Sequence, residues 1–311
     1  MSKAAELAAL IGSQTALSNK NQIINGNFQV WQRGTSSSSS GYGTADRWRL
    51  NLSGGTATAS QGTFTDGQTA VPGNPQFYMA LNVTAGNDNL GWQYRIEDTH
   101  KFNSDVYTLS FWAKSATPRA MTVNSHTYDS SADVDDDNTV SPSTFTPTSS
   151  WQKFTFKITF SSMTNVGAFA SGDYTHIGIN QGSDTSTAAW KLDLAQVQFE
   201  KGEQATPFEH RSFGDELARC QRYYQFADNR IWTGDIQNTQ DYYMSFARPV
   251  TMRGTPTQTY TSISENGFNS STIATPGAGL ANNETVGVLA TADTTMARGY
   301  YYLHIASDAE L

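Results

Sequence analysis

The amino-acid sequence predicts a mainly β protein: an antiparallel jelly-roll β-sandwich with a short N-terminal helix, a linking helix and a smaller C-terminal β-domain. Charged residues make up only 15% of the 311 residues, below the share of about 25% typical of globular domains. Gly, Ser, Thr and Asn, which favour turns, take their place. Apolar residues recur with a period of two between Asn21 and Phe208, and helical spacing is confined to two short segments.

Alternation of apolar and polar residues indicates strands with one buried and one wetter face. In "DRWRLNL" (46–52), Trp48, Leu50 and Leu52 share one face of the predicted strand. Four more segments alternate in the same way: "FYMALNV" (77–83), "LGWQYRI" (90–96), "VYTLSFWAK" (106–114) and "FTFKITF" (154–160). A parallel α/β architecture would need helices between these strands, and the pattern contains none. A two-sheet sandwich of the jelly-roll kind fits these strands.

One predicted strand changes face along its length. In "WKLDLAQVQF" (190–199), the apolar residues up to Leu194 have one parity and those from Val197 onward have the other. A β-bulge near Ala195 and Gln196 would return both halves to a single buried face.

Residues 3–17 show helical spacing at the N-terminus. A helix this short is marginal by itself and needs a partner, either its own domain, other copies of itself or a larger assembly. We assign its apolar seam to anchoring or oligomerisation: Leu7, Leu10, Ile11 and Leu17.

A second helix is predicted within "SFGDELARCQRYYQ" (212–225). Ser212 is its expected N-cap, and its apolar stripe is Phe213, Leu217, Cys220 and Tyr224. We place a domain boundary beside this helix. The expected domains are a helical anchor at 1–20, the sandwich at 21–210, and the linking helix with a small β-domain at 211–311.

Charge and cysteine content narrow the function classes. The formal net charge is −8 with no long Lys/Arg cluster, so we expect no nucleic-acid partner and no membrane-surface binding. No apolar run is long enough for membrane insertion, and the polar N-terminus does not fit a secretion signal. Cys220 is the only cysteine, so folding does not depend on an internal disulfide. We therefore expect synthesis in the cytoplasm.

Several stretches carry a family resemblance. Two tryptophan- and arginine-containing segments, "NQIINGNFQVWQRG" (21–34) and "YGTADRW" (42–48), flank a serine tract. The further stretches are "YTLSFWAK" (107–114), "LDLAQVQFEKGEQATPFEHRSFGDELARCQRYYQ" (192–225), "VTMRGTPT" (250–257) and "SDAEL" (307–311). In this order they resemble tailed-bacteriophage virion proteins, which are tail-fibre-like and contain carbohydrate-binding-module-like jelly rolls.

The resemblance implies a jelly roll, a place in the virion after synthesis in the host cytoplasm, and no catalysis. It also implies the partners: other virion proteins, further copies of the chain in a homotrimer, and a host-surface glycan. Because a fold does not specify a function, the site has to be argued from residues.

Sugar binding requires flat apolar rings that stack on pyranoses, together with polar groups for the hydroxyls. Trp112 is the first candidate, because its parity places it on the wetter face of its strand together with Lys114. Trp31, Trp48 and Arg33, which lie around the serine tract, are the next candidates. For each tryptophan, packing in the core or against another subunit is the alternative.

Metal binding has two possible locations. "DVDDDN" (133–138) resembles the start of a calcium loop, but Asn138 and Thr144 stand where an EF-hand needs Gly and Glu, so a solvated acidic turn is expected. The resemblance to carbohydrate-binding jelly rolls implies a structural calcium near the first and last strands, where Asn25 and Asp193 lie. No other cofactor is expected.

Catalytic motifs are absent from the sequence pattern. The five histidines lack metal-ligand spacing, and no acidic pair, phosphate-binding loop or nucleophile motif stands out. We expect a non-enzymatic virion structural protein, a tail-fibre-like component with a glycan-binding module for host attachment. The alternatives are a purely structural adaptor or decoration protein of the particle, and a polysaccharide-degrading depolymerase.

Overall fold

A computed structural model describes residues 19–85, 90–130, 134–162, 170–181, 188–268 and 282–311. The chain divides into two units, residues 1–213 together with Leu311, and residues 214–310. The predicted N-terminal helix, with Leu7, Leu10, Ile11 and Leu17, lies outside the described residues and stays a prediction.

The larger unit is an antiparallel jelly-roll β-sandwich, as predicted. Its strands are β1 (Ser36–Ser37), β2 (Trp48–Asn51), β3 (Thr56–Thr63), β4 (Phe77–Ala85), β5 (Gly91–Glu97), β6 (Val106–Lys114), β7 (Met121–Asp129), β8 (Val134–Asp137), β9 (Thr139–Ser141), β10 (Thr144–Phe145), β11 (Gln152–Thr159), β12 (Tyr174–Gln181) and β13 (Trp190–Lys201). One sheet has seven strands in the order β1-β3-β4-β13-β6-β11-β9. The other has six, in the order β10-β7-β12-β5-β2 with β8 beside β7. A 3-10 helix spans Thr99–Phe102.

The inner faces of the two sheets form the core of this unit, which confirms the alternation seen in the sequence. On β5, Trp92 and Tyr94 are buried, whereas Gln93 and Arg95 point outward and are half-buried. Each fully buried large apolar side chain contributes roughly 1.5–3 kcal/mol relative to an exposed one. The acidic segment within "DVDDDN" is not the solvated turn that the sequence predicts. Its residues Val134–Asp137 pair with β7 as strand β8.

The β-bulge predicted in β13 is confirmed. Pairing of β13 with β6 shifts register between Ala195 and Gln198, and Gln196 takes a positive φ of 49°. As a result Leu194 and Val197, which have opposite parity in the sequence, are both 0% exposed.

The N-terminal part of the described chain lies against β13. Gln22 donates its backbone N–H to Phe199 O (2.7 Å), and Val197 donates to Gly26 O (2.9 Å). The Asn21 side chain completes the contact, because its Nδ2 donates to Val197 O (3.1 Å) and its Oδ1 accepts from Phe199 N (2.9 Å). A Cβ at Gly26 would collide with Val197 O, so only glycine permits this approach.

The smaller unit is also built mainly of strands. The helix and strands of this C-terminal region are α1 (Phe213–Gln221), β14 (Tyr224–Ile236), β15 (Asp241–Ala247), β16 (Thr257–Asn266), β17 (Thr285–Thr291) and β18 (Met296–Asp308). They form a three-stranded sheet, β14-β18-β16, and a two-stranded sheet, β15-β17. Ile236, Val288 and Leu303 are among the residues of its core.

The linking helix is confirmed, but two members of its predicted stripe are not on a buried helical face. Phe213 is 55% exposed, and Tyr224 begins β14 rather than continuing the helix. Cys220 is 0% exposed, as expected for a small packed side chain. Among the described residues, no helix has the length and apolar character needed to cross a bilayer.

Candidate functional site

A covering segment lies on the outer face of the seven-stranded sheet. This segment, residues 202–211, follows β13 directly and is called the strap below. Thr108 and Ser110 belong to the face that the alternation predicts to be wet, yet they are 1% and 3% exposed. Thr108 Oγ1 donates to Gly202 O at the start of the strap (2.7 Å). The wet-face prediction is therefore wrong for these two residues, because the strap covers them.

A buried carboxylate holds the middle of the strap. Glu200 is 3% exposed, and its Oε1 accepts from Thr206 N (2.8 Å) and Gln198 Nε2 (2.7 Å). Its Oε2 accepts from Thr206 Oγ1 (2.7 Å) and lies 3.8 Å from Lys20 Nζ. A buried charge is tolerated when donors surround it in this way.

The end of the strap is tied to the N-terminal segment. Glu209 donates its backbone N–H to Gln198 Oε1 (2.7 Å), and its Oε2 accepts from Asn21 N (2.8 Å) and Arg211 Nη2 (3.1 Å). Arg211 Nη1 donates to Ile23 O (3.1 Å). Two of the stretches that carry the family resemblance thus pack against each other, and their polar residues hold the strap in place.

The strap and the sheet border an open cavity of about 540 Å³. The described residues that line it are Pro72, Gly73, Ser110, Trp112, Lys153, Gln196, Ala205, Thr206, Pro207, Phe208 and His210. We call this space the Trp112 cavity. Its volume lies within the range of about 300–1,000 Å³ typical of ligand sites.

Trp112 supplies the large aromatic surface of the cavity. It is half-buried on the outer face of β6, opposite Lys153 of β11. Its indole N–H makes no hydrogen bond within the described part of the chain and is available as a donor. Lys153 is exposed, with Nζ 3.4 Å from Thr206 O. The exposed His210 ring stands at 78° to the Phe208 ring, with 5.1 Å between centroids.

The β-bulge shapes the far wall of the cavity. Gln196, turned by the bulge, donates from Nε2 to Pro72 O (2.6 Å). Gly73 follows with a φ of +78°, and a Cβ there would lie 2.7 Å from His210 Nε2. Both the left-handed backbone and the close histidine favour glycine at this position.

An aromatic cluster lies on the same outer face, around Lys114. The Phe64, Tyr78 and Trp151 rings have centroids 5.0–5.5 Å apart. Lys114 Nζ lies 5.4 Å from the Tyr78 centroid and 5.0 Å from that of Trp151, and 3.4 Å from Asp193 Oδ2. Burial raises the pKa of Asp193, and the Lys114 charge acts against this rise. Lys114 is therefore engaged within this cluster and does not line the cavity.

Trp48 cannot act as a surface glycan platform, because the structure buries it. The side chain is 1% exposed and packs against Phe28 and Tyr94, with centroids 5.2 and 5.1 Å away. Its neighbour Arg47 is also 1% exposed and donates from Nη2 to Arg95 O (2.6 Å). This part of the sequence prediction is corrected: the "DRW" stretch builds the core.

Trp31 and Arg33 lie outside the Trp112 cavity. Trp31 is half-buried against the core, and its Nε1 donates to Phe28 O (2.6 Å). The Arg33 guanidinium lies 5.6 Å from the Tyr42 ring centroid. Of the five glycan candidates, the structure therefore brings only Trp112 into the cavity.

The two calcium candidates belong to different polar networks. Asn25 Oδ1 accepts from Gln29 N (2.8 Å) and Val30 N (3.0 Å), so it organises a turn. Asp193 faces Lys114 on β6. Within the described ranges, no three His, Cys, Asp or Glu side chains are grouped to hold a metal ion. The proposed calcium stays a prediction without geometric support.

Sequence reasoning missed the strap residues that build the cavity. Thr206, Phe208 and His210 have no periodicity that would mark them. The sequence gives one indication that these residues could form a site. They lie in the quoted stretch 192–225, in a part that does not alternate like a strand and that contains several polar and aromatic residues.

No protein-family model matches the chain, and no curated protein matches it. Among solved structures, the xylan-binding domain CBM22-1 from Paenibacillus barcinonensis Xyn10C is similar, with 13% identity, a TM-score of 0.34, and coverage of 55% of this chain and 94% of that one. A family 11 carbohydrate-binding module of Clostridium thermocellum shows 16% identity, a TM-score of 0.33, and coverage of 60% and 97%. The enzymatically active domain of bacteriophage CBA120 tailspike protein 4 shows 11% identity, a TM-score of 0.33, and coverage of 59% and 22%. Similarities of this size assign no ligand or activity to the chain.

Proposed function

We propose that this protein binds a glycan in the Trp112 cavity and acts as a non-enzymatic, tail-fibre-like component of a phage particle. One observation carries the glycan-binding part. A half-buried tryptophan faces a cavity of about 540 Å³ on the outer face of a sheet, with an unpaired indole N–H among the described residues.

The cavity has the two kinds of group that a sugar requires. The Trp112 ring offers a flat apolar surface for the carbon face of a pyranose. Lys153 and His210, both exposed at the rim, offer polar atoms to the hydroxyls. The strap is fixed by buried hydrogen bonds to Glu200, so little ordering of the main chain would accompany binding.

The lining favours binding over hydrolysis. Glycosidases use two facing carboxylates, and no Asp or Glu lines the cavity within the described part of the chain. The Glu200 carboxylate of β13, which contacts the strap at Thr206, is buried and occupied by Thr206 and Gln198. These features support a non-enzymatic role.

The phage role rests on the sequence resemblance. Two of the stretches that carry it contain the strap and the N-terminal segment that supports it. A homotrimer attached through the N-terminal helix, with other virion proteins as partners, completes the proposal. Mass spectrometry and immunogold labelling of purified phage particles test the location, and absence of the chain from the particle contradicts it.

The glycan-binding part is tested with Trp112→Ala. A glycan array first identifies a bound saccharide, and titration then compares variants. We expect affinity to fall about thirtyfold or more, the effect of losing an aromatic contact worth about 2 kcal/mol. The melting temperature should stay unchanged, and Trp112→Phe should retain part of the affinity.

Tyr243→Ala is the matched control, because Tyr243 is an aromatic residue 53% exposed in the smaller unit. The glycan affinity of the Tyr243→Ala variant should equal that of the unaltered protein. Absence of glycan binding in the unaltered protein would favour the purely structural role. Release of reducing ends from host polysaccharide would establish a depolymerase and overturn the non-enzymatic proposal.

A further inference from the structure

The outer face of the six-stranded sheet carries a second polar cluster, on the other side of the sandwich from Trp112. Arg95 of β5 pairs in register with His176 of β12, which pairs with His126 of β7. Arg49 of β2 lies opposite Gln93 of β5. We call Arg49, Arg95, His126 and His176 the basic patch.

The two histidines of the patch share one hydrogen bond. Their Nδ1 atoms lie 3.1 Å apart, so one ring donates and the other accepts. Burial, together with His126, Arg95 and Arg49, holds the pKa of His176 well below its usual value. His176 is therefore neutral, and where His126 donates, His176 carries its proton on Nε2 and presents a donor there.

On the outer face of β12, two buried polar atoms lack hydrogen-bond partners within the described residues: His176 Nε2 and Asn180 Oδ1. Their residues are only 4% and 5% exposed, and buried polar groups are nearly always bonded. The amide oxygen needs a donor, and in the tautomer in which His126 donates, His176 Nε2 needs an acceptor. The residues are four apart along one strand, about 13 Å, so a ligand satisfying both would be longer than one sugar ring.

The patch arginines are not neutralised by acidic side chains. Within the described ranges, neither Arg49 nor Arg95 forms an ion pair with Asp or Glu, although the chain has a net charge of −8. Arg49 donates to Gln93. Arg95 lies 4.2 Å from the Tyr174 ring centroid and donates from Nη1 to the main-chain O of Leu311 (2.8 Å).

Acidic groups stand at one border of the patch. Glu97 lies opposite Tyr174, two register pairs beyond Arg95, and Asp137 lies opposite His126. Both limit the positive potential at that border. The favourable region for an anion is therefore on the side of Arg49, where the register neighbours are the uncharged Gln93 and Gly178.

We infer that the outer face of the six-stranded sheet is a second binding site, specific for an acidic oligosaccharide whose carboxylate pairs with Arg49 and Arg95. A hydroxyl of the neighbouring sugar donates to Asn180 Oδ1, and the carboxylate or a ring oxygen accepts from His176 Nε2. Guanidinium groups recognise carboxylates through paired, charge-assisted hydrogen bonds. The site is independent of the Trp112 cavity.

Trigalacturonate tests the site, with its methyl ester as the same sugar without charge and inorganic sulfate as the oxyanion without sugar. Calorimetric titration should show binding of trigalacturonate and none of the ester. Arg49→Gln/Arg95→Gln should weaken binding about tenfold or more, as expected for the loss of charge-assisted hydrogen bonds. The matched control is Lys191→Gln/Arg298→Gln, which removes the same charge from two exposed positions and should change affinity less than twofold.

Trp112→Ala should leave trigalacturonate binding unchanged, which separates this site from the proposed glycan cavity. Nitrogen NMR of the imidazoles should show the His176 Nε2 resonance moving as ligand is added. Equal affinity for sulfate would overturn the specificity for an oligosaccharide, because sulfate is too small to contact both His176 and Asn180. Equal binding of the methyl ester, full affinity in the arginine variant, or no binding of either anion would overturn the inference.

Discussion

The two outer faces of the sandwich differ in what organises their polar groups. On the seven-stranded sheet, the strap folds back over the strands, and the buried Glu200 has a donor for each carboxylate oxygen. On the six-stranded sheet, the polar cluster consists of side chains from the strands themselves, and His176 keeps an unpartnered Nε2 within the described residues.

This difference shows how one alternating pattern leads to two kinds of surface. A buried polar group that finds partners stabilises the covering segment, whereas one that lacks a partner leaves a cost that a ligand can offset. The first face is thus preorganised by its own main chain. The second keeps buried polar atoms that lack partners within the described residues.

The largest expected effect concerns the strap. Glu200→Ala removes the acceptor shared by Thr206 and Gln198 and takes from the Thr206 main-chain N–H the carboxylate oxygen to which it donates. We expect the free energy of unfolding of the larger unit to fall by about 3 kcal/mol, measured by urea denaturation. Glycan affinity at the Trp112 cavity should fall as well, while trigalacturonate binding should not.

Glu203→Ala is the control for this prediction. Glu203 lies in the same strap, but its side chain is 65% exposed and stands 3.9 Å from Lys157, so its removal should change stability by less than about 0.5 kcal/mol. If Glu200→Ala is as stable as the unaltered protein, the strap is not held by the carboxylate and the contrast between the faces fails.

The next effect is a pH dependence from the six-stranded sheet. The folded-state pKa of His176 is lowered, chiefly by burial, so below the usual pKa of about 6.5 the unfolded chain takes up a proton that the folded chain does not. Stability should therefore be lost as the pH falls from about 6.5, by up to roughly 1.4 kcal/mol per pH unit. Urea denaturation between pH 7.5 and 5 measures this slope.

His176→Gln should flatten that slope, because it removes the group whose pKa folding lowers. An identical slope in His176→Gln and in the unaltered protein would show that other groups govern acid stability, and that the two faces do not differ in their response to protons.

The smallest expected effect concerns the aromatic cluster beside the cavity. Lys114→Gln removes the ammonium that faces Tyr78, Trp151 and Asp193. We expect a loss of about 1 kcal/mol or less, because the side chain is 30% exposed and such contacts are weak at partly exposed sites. Thermal denaturation compares this variant with the control Lys157→Gln, because the ion pair of Lys157 with Glu203 is more exposed. Equal stability of the two variants would contradict a stabilising contribution of Lys114 to the aromatic cluster.

Parity in the sequence predicted a part of the site. It placed Trp112 on the outer face of its strand, and the structure finds Trp112 there, in a cavity. Trp48 was a glycan candidate because of its place beside the serine tract, and the structure buries it against Phe28 and Tyr94, in agreement with the face that it shares with Leu50. Periodicity reports which side of a strand a residue occupies, but it does not report what the neighbouring chain places over that side.

The basic patch was beyond sequence reasoning for a related reason. His126 and His176 are fifty residues apart in the chain, and only the pairing of β7 with β12 brings them into register. The scattered histidines looked unrelated because strand order in a sandwich is not set by proximity in sequence.

The sequence by itself determined the strands that alternate clearly in polarity, their apolar faces, the β-bulge in β13 and the linking helix, because these depend on the local alternation of polarity and on backbone preferences. Only the tertiary structure decided which polar residues are buried. The strap, the Trp112 cavity and the basic patch arise from hydrogen bonds and register between segments distant in the chain, and no local pattern encodes such pairings.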